Sequence, residues 1–506
     1  MHNEFKDAPI VPQTDPVKDK AETPLLRKLG LPSGVTLFRS PDGKTFAEGA
    51  FGRGREAVRI ESEHFANALR LHLLRTTGDV PKVEVIRSLQ GICHALAFEK
   101  PPRAANLRVA EKEGKLFLDL ADSLGRCVEV GPDGWTVRED SPILFYRPKS
   151  MGALPVPVLG GNLNNLGAFV NVSQGDLQLI IAYTLAVLAV RVPTPALILV
   201  GEPGSAKTTT ARIIKMLVDP AVGSGTPLPV NDREMAIAAG QELVLHFDNV
   251  TSISANCSDT VCRVVTGSGF RTRKLYSDDD QSVFESRRPV IMTAVHNPVA
   301  RVDLASRSLI VEPPRLTGSG RRDEQELYRE FELQRAASLG ALLTLLSRAM
   351  SVTEVRPLGG DFRMRDFAGF AVKVEQAAGW PEGSVSSRLL DNAANMREDM
   401  VEANVVSLML GLFTDAVKFW TGTAGTLFQW FANNVPRERH RELPTNLAIF
   451  TRQIMEVAPL LRERGIEVTK TRTGAARLIT IRKIEDRPSQ DCTPDGDAMT
   501  PMTPTT

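Results

Sequence analysis

The chain is short of cysteine, of net charge and of long apolar runs, and each shortage removes a class of protein. Five cysteines (Cys93, Cys127, Cys257, Cys262, Cys492) are scattered over 506 residues. None forms a C-x-x-C pair, which excludes a zinc ribbon or a disulfide scaffold and fits a reducing, cytoplasmic setting. Lys and Arg number 61 against 60 Asp and Glu, a net charge of +1, so any surface for nucleic acid has to be local rather than global. The most apolar stretch, Leu177–Val190, falls short of the ~20 residues a bilayer requires and ends at Arg191. It reads as a buried helix, and no membrane is expected. Met1–Lys20 has no basic segment followed by an apolar one, so no export signal is expected either.

What is present is ordinary globular material: 42% apolar and 24% charged residues, enough for a sizeable core. At ~100–200 residues per domain the length predicts two to four domains. Residues 1–24 and 486–506 are polar and rich in proline and aspartate, and read as disordered tails. Residues 25–155 read as an α+β domain, with helical patterns at Ser62–Leu74 and Lys82–Leu96 and alternating runs at Lys115–Leu120, Arg126–Val130 and Ile143–Tyr146. The turn Pro132-Asp133-Gly134 is expected to join the last two runs as a hairpin. Met151–Pro157 with Gly160-Gly161 resembles a linker and marks a boundary. Residues 156–320 carry the strand–loop–helix order of a nucleotide-binding α/β core, 321–424 are helical, and 425–485 read as helix, helix and two short strands, the order of a winged helix.

The most informative segment is Gly201-Glu202-Pro203-Gly204-Ser205-Ala206-Lys207-Thr208, with Thr209 next. It fits G-x-x-x-x-G-K-[ST] except that Ala206 replaces the second glycine. Such a loop points backbone N–H groups at phosphates, Lys207 reaches the β and γ phosphates, and Thr208 offers an oxygen to Mg²⁺. ATP or another NTP is therefore the expected ligand. A buried-strand pattern at Leu243–Phe247 ends in Asp248, placed to hold the Mg²⁺. Asn249 follows where many NTPases carry a glutamate. Asn can orient a water but cannot take its proton, which leaves Asp248, Asp259 or no base at all.

Val264–Tyr276 is a glycine-containing turn carrying Arg271, Arg273 and Lys274, suited to a hairpin that touches a phosphate backbone. The apolar run Pro289–Val295 leads to Asn297, the expected sensor of the γ-phosphate, with Thr293 second. Arg307 is the expected arginine finger acting on a neighbouring copy, with Arg301 second. Across residues 435–483, eleven Lys and Arg stand against five Glu, a local excess of six positive charges. Within it, Lys470, Arg472 and Arg477 fall on or beside the expected wing, where phosphate contacts would lie.

Taken in order, these four motifs resemble motifs A, B, B′ and C of superfamily 3 helicases within the AAA+ class. The resemblance is to the helicase part of phage, plasmid and poxvirus-type primase-helicases and to ATP-binding proteins of mobile elements. The G-E-P-G-S-A-K-T loop and Asn297-Pro298 are also similar to minichromosome maintenance helicases. The resemblance implies an AAA+ P-loop core with a helical lid and a hexameric ring with ATP and Mg²⁺ between subunits. It further implies pore hairpins moving on single-stranded or forked DNA in replication, alongside a possible separate primase. By the same analogy a second sensor arginine falls at Arg363 or Arg365. The alternative is a nucleotide-switched DNA-binding assembly protein, such as an initiator, loader or defence component, that hydrolyses slowly and does not unwind. A metabolic P-loop kinase ranks third, because it has no use for the basic hairpin or the basic C-terminus.

Overall fold

A computed structural model describes residues 31–52, 54–268, 270–273, 281–284, 287–317, 321–358, 362–472 and 477–484. The two expected tails and Lys274 lie outside the described residues. The chain divides into two compact units, 1–394 and 395–506, and the boundary expected near 155 falls inside the first.

The first unit opens with an antiparallel meander of β1 (Thr36–Arg39), β2 (Thr45–Ala50) and β3 (Arg55–Arg59). Two helices, Glu63–Thr77 and Val83–Phe98, bury Phe65, Leu69, Ile86 and Cys93 against it. Ser62 caps the first helix by accepting the Phe65 N–H, and Gly78 ends it at φ 79°, a backbone conformation that glycine adopts without strain.

A second meander follows: β4 (Val109–Lys112), β5 (Lys115–Asp119), β6 (Cys127–Gly131) and β7 (Gly134–Arg138). Here one sequence expectation needs correction. The Pro132-Asp133 turn joins β6 to a new strand, β7, with Gly131 opposite Gly134, and not to Ile143–Tyr146. That run instead makes single bridges, Tyr146 to Ala57 and Phe145 to Asn106. Its apolar residues are buried because it stitches the two meanders together, a long-range role that alternation alone cannot reveal.

The segment that resembled a linker is also built in. Gly152 donates to Pro220 O (2.8 Å), Leu154 to Leu120 O (2.8 Å) and Val158 to Ala336 O (3.0 Å). A Cβ placed on Gly340 would come within 1.9 Å of the Val158 carbonyl oxygen, so the two backbones approach in a way only glycine permits.

The centre of the unit is a four-stranded parallel sheet of β8 (Ala196–Val200), β9 (Leu245–Phe247), β12 (Val290–Ala294) and β13 (Ser308–Val311), in the order β13-β8-β12-β9. A short antiparallel ribbon, β10 (Phe270–Arg273) with β11 (Gln281–Phe284), is inserted before β12. The central strands are apolar on both faces because helices cover both. Each Leu or Ile so buried contributes about 1.5–3 kcal/mol. Helix Gln174–Leu188, capped by Ser173, is buried almost all round, and its Tyr183 hydroxyl donates to Val290 O (3.1 Å). Among the described residues no helix is long and apolar enough to cross a membrane. Helices Glu324–Ser351 and Arg365–Ala378 complete the core.

The second unit packs helices Val405–Ala416, Ala424–Asn434 and Leu447–Glu463 around Phe413, Phe431, Phe450, Ile479 and Ile481. Its sheet has three strands in the order β14-β16-β15: β14 (Phe419–Thr423), β15 (Ile466–Arg472) and β16 (Arg477–Lys483). The strand Phe419–Thr423 closes the stretch 321–424 that was expected to be helical. Phe419, Thr421 and Thr423 point outward while Trp420 packs on Phe413, and the two-residue period that results was hidden by a helical run before it.

Candidate functional site

All four central strands are parallel, so their C-terminal ends share one edge, and loops 201–206, 248–254 and 295–301 gather there. Such an edge is where open α/β sheets place their ligands. Gly201 N–H donates to Ala294 O (3.1 Å), which ties the start of the loop to the end of β12. Gly204 has φ 86° and Ala206 φ 60°. The left-handed backbone at Ala206 explains why the motif prefers glycine, since a non-glycine residue there costs ~1–2 kcal/mol. Ser205 is fully buried, and among the described residues its Oγ has no hydrogen-bond partner. Lys207 begins helix Lys207–Val218, with Thr208 and Thr209 in the first turn. Its ammonium donates to the Glu202 carbonyl at 3.3 Å and bends back over the loop.

Thr208 Oγ1 donates to Asp248 Oδ1 (2.9 Å), which joins the end of β9 to the loop after β8. Thr293, fully buried on β12, also donates to Asp248 Oδ1 and accepts the Asn249 N–H (2.9 Å). This one hydroxyl fixes the carboxylate and the backbone turn beyond it. Asn249 takes φ 56°, and its side chain is exposed. Behind Asp248, His246 is 2% exposed, with Nδ1 2.9 Å from Ser224 Oγ and Nε2 without a partner among the described residues. Burial pushes its pKa down to about 4, so it is neutral at neutral pH.

Among the described residues no group of three or more His, Cys, Asp or Glu gathers. The oxygen set is one carboxylate with the Thr208 and Thr293 hydroxyls. That set suits Mg²⁺, which binds few protein carboxylates and takes its remaining oxygens from water and phosphate. The orphaned Ser205 hydroxyl and the left-handed loop likewise leave polar groups for a phosphate.

The other expected site residues scatter. Asn297 lies at the same edge, where its Oδ1 accepts the Val299 N–H (3.1 Å) in a local turn. Arg307 lies at the opposite edge, because it precedes β13, and its carbonyl accepts the Ala196 N–H. Its guanidinium is ion-paired with Asp303, which also holds Arg363 at 3.1 Å. Arg301, the second candidate for the finger, pairs with Asp259 (3.3 Å), one of the candidate bases. Arg365 borders a small cavity with Leu358, Phe362 and Gly369. Arg271 and Arg273 occupy alternate positions on β10. Lys470 lies opposite Ile479 and Arg472 opposite Arg477. Directly opposed residues share a face, so these three exposed cations stand together at the hairpin end of β15 and β16.

Three residues at the loop were not foreseen. Asn171 donates to Ser205 O (2.9 Å) and Pro314 O (2.5 Å). Arg315 pairs with Glu202 (3.4 Å), and a Cβ on Gly204 would lie 3.4 Å from an Arg321 nitrogen. The segment after β13 thus straps the loop from outside. It lies more than a hundred residues downstream, and no spacing rule reaches so far.

Comparison with known proteins adds the following. The C-terminal region of NrS-1 (305–718), in its apo A form, is 12% identical over 91% of this chain and 97% of its own, with a TM-score of 0.39. A JCV helicase is 14% identical over 46% of this chain and 64% of its own, with a TM-score of 0.24. No curated protein matches. Residues 162–395 match the family model of an actinomycete integrative conjugative element replication protein, and residues 401–494 match the C-terminal domain of that protein. Over these two stretches, together more than half of its length, the chain matches the replication-protein family of actinomycete integrative conjugative elements.

Proposed function

We propose that the chain is an ATP-hydrolysing motor of the superfamily 3 helicase type, with an AAA+ P-loop core and a winged helix at its C-terminus, acting on DNA when a mobile element replicates. The observation that carries this reading is the Thr208–Asp248 contact at 2.9 Å, because it unites the two oxygens a nucleotide-bound Mg²⁺ needs. When bound, that ion would neutralise charge on the transferred phosphoryl group. The loop N–H groups of Gly204 and Ala206 and the Lys207 ammonium would hold the phosphates of ATP, and Thr293 would keep Asp248 in place. Catalysis of this kind is mostly positioning and charge stabilisation, so a missing acid at 249 slows the chemistry without forbidding it.

Arg307 sits at the edge away from its own loop, which fits a role on the ATP of the next copy in a ring, a hexamer by resemblance. Arg271, Arg273 and Lys274, with Lys470, Arg472 and Arg477, would carry single-stranded or forked DNA. The test is ATP turnover with and without single-stranded DNA, with Lys207→Ala as the blank. Strong stimulation is expected in the wild type, and Lys274→Ala should keep basal turnover but lose the stimulation. Equal stimulation in both removes the hairpin from the mechanism.

Asn249 favours a second reading, the nucleotide-switched assembly protein. Slow turnover with ATP-dependent assembly and no strand separation would select it.

A further inference from the structure

We propose a second ligand site, for a nucleotide-sized phosphate ester, in the cavity between the N-terminal meanders and the parallel-sheet core. It does not rest on the ATPase reading. The cavity has a volume of about 530 Å³, within the range of small-molecule sites and well beyond what a lone phosphate fills. Its walls come from β3, from the start of helix Glu63–Thr77, from residues 146–150 and from Gln241.

Three features of the wall point to the ligand. First, the helix start opens on the cavity through Ser62 and His64. The Ser62 hydroxyl accepts the Phe65 N–H, whereas the preceding first-turn N–H groups have no acceptor within the helix and favour an anion.

Second, the cations of the wall differ in how they are used. Arg59 is paired with Glu61 (3.0 Å). Arg147, fully buried, grips Asp119 through Nε and Nη2 (2.8 and 2.7 Å). Lys149 is exposed, and among the described residues its ammonium has no ion pair or hydrogen bond. Lys149 is therefore the charge left to meet a ligand, and a lysine meets a phosphate as a point charge.

Third, Tyr146 supplies an aromatic wall. Its ring is set edge-on to Phe46 at 5.5 Å, and it lines the cavity together with Gln241. A fixed ring beside polar groups suits a base, which stacks on aromatic faces whatever its sequence. Base plus phosphate is the chemistry of a nucleotide, from either a free nucleoside monophosphate or a nucleic-acid strand.

The full chain carrying Lys207→Ala, which silences the first loop, should be dialysed to equilibrium against labelled dAMP and against a 5′-phosphorylated tetranucleotide. Binding is expected to fall about tenfold with Lys149→Glu, the loss of one charge-assisted contact, and to return with Lys149→Arg. Tyr146→Leu should reduce dAMP binding to that of inorganic phosphate. Binding of both probes supports a nucleotide pocket, and binding of the tetranucleotide alone supports a strand site. Absence of binding for both, or equal binding with Lys149→Glu in a protein that melts like the wild type, overturns the proposal. Failure of ATP turnover in the unmodified protein would leave it standing.

Discussion

Helix Lys207–Val218 carries two lysines eight residues apart whose surroundings could hardly differ more. Lys207, at the N-terminus, is partly exposed and has a 3.3 Å contact with a loop carbonyl. Lys215, near the C-terminus, is 1% exposed and donates to Glu242 (2.7 Å), to Val244 O (2.5 Å) and to Asp219 (3.4 Å). Asp219 in turn accepts the Leu243 and Val244 N–H groups (2.9 Å each) and the Nε of Arg108 (3.1 Å), itself fully buried. The arginine's remaining nitrogens reach Asp119 O and Gly152 O. A cation whose every donor is used inside the fold is a structural element. A cation held loosely at a loop of backbone N–H groups is one available to a ligand. The buried end also anchors the N-terminal meanders to the strand that carries Asp248.

The comparison can be broken by experiment, and the expected effects on stability run from large to small. Lys215→Met leaves Glu242 without its cation and Asp219 with Arg108 alone, and should cost about 3–5 kcal/mol, read from urea midpoints. A loss below about 1 kcal/mol would mean that the network does not anchor the fold. Next is the pH response. His246 has its folded pKa depressed to about 4 from 6.5, first by burial and then by Lys215 and Arg212, with Asp248 opposing. The unfolded chain therefore binds the proton more readily, so stability is complete above pH 6.5 and declines as pH falls towards 4. Between pH 7.5 and 5 the decline from this group should be about 2 kcal/mol. His246→Gln should flatten it in urea titrations at each pH.

Smaller again, Ala206→Gly relieves the left-handed strain and should raise stability by about 0.5–1 kcal/mol, the gain being reduced by glycine's freedom in the unfolded chain. Smallest is Lys207→Ala, expected to shift the midpoint by no more than about 0.5 kcal/mol while abolishing ATP turnover. A large stability loss there would place Lys207 with Lys215, as part of the fold.

Those parts of the molecule legible in the sequence are local. Ala196–Val200 reads as a strand because it is apolar without a break, the Gly and Pro after it read as a turn, and a helix at Lys207 follows from what comes next. The helices at 63–77 and 83–98 announce themselves by their period. The contacts that hold these pieces together have no such signature. Arg108 and Asp219 are 111 positions apart, and Asn171 reaches Pro314 across 143. Ile143–Tyr146 alternates like any strand, yet it bridges two sheets rather than pairing in a hairpin.

By itself, then, the sequence determined the strand–loop–helix elements, the residue types at the loop and the basic end of the chain, because propensity and periodicity act over a few residues. Only the tertiary structure decided that Thr293 steadies Asp248, that Arg307 turns away from its own loop, and that Lys149 stands open beside Tyr146. Those outcomes depend on which buried donor meets which acceptor once distant strands have packed.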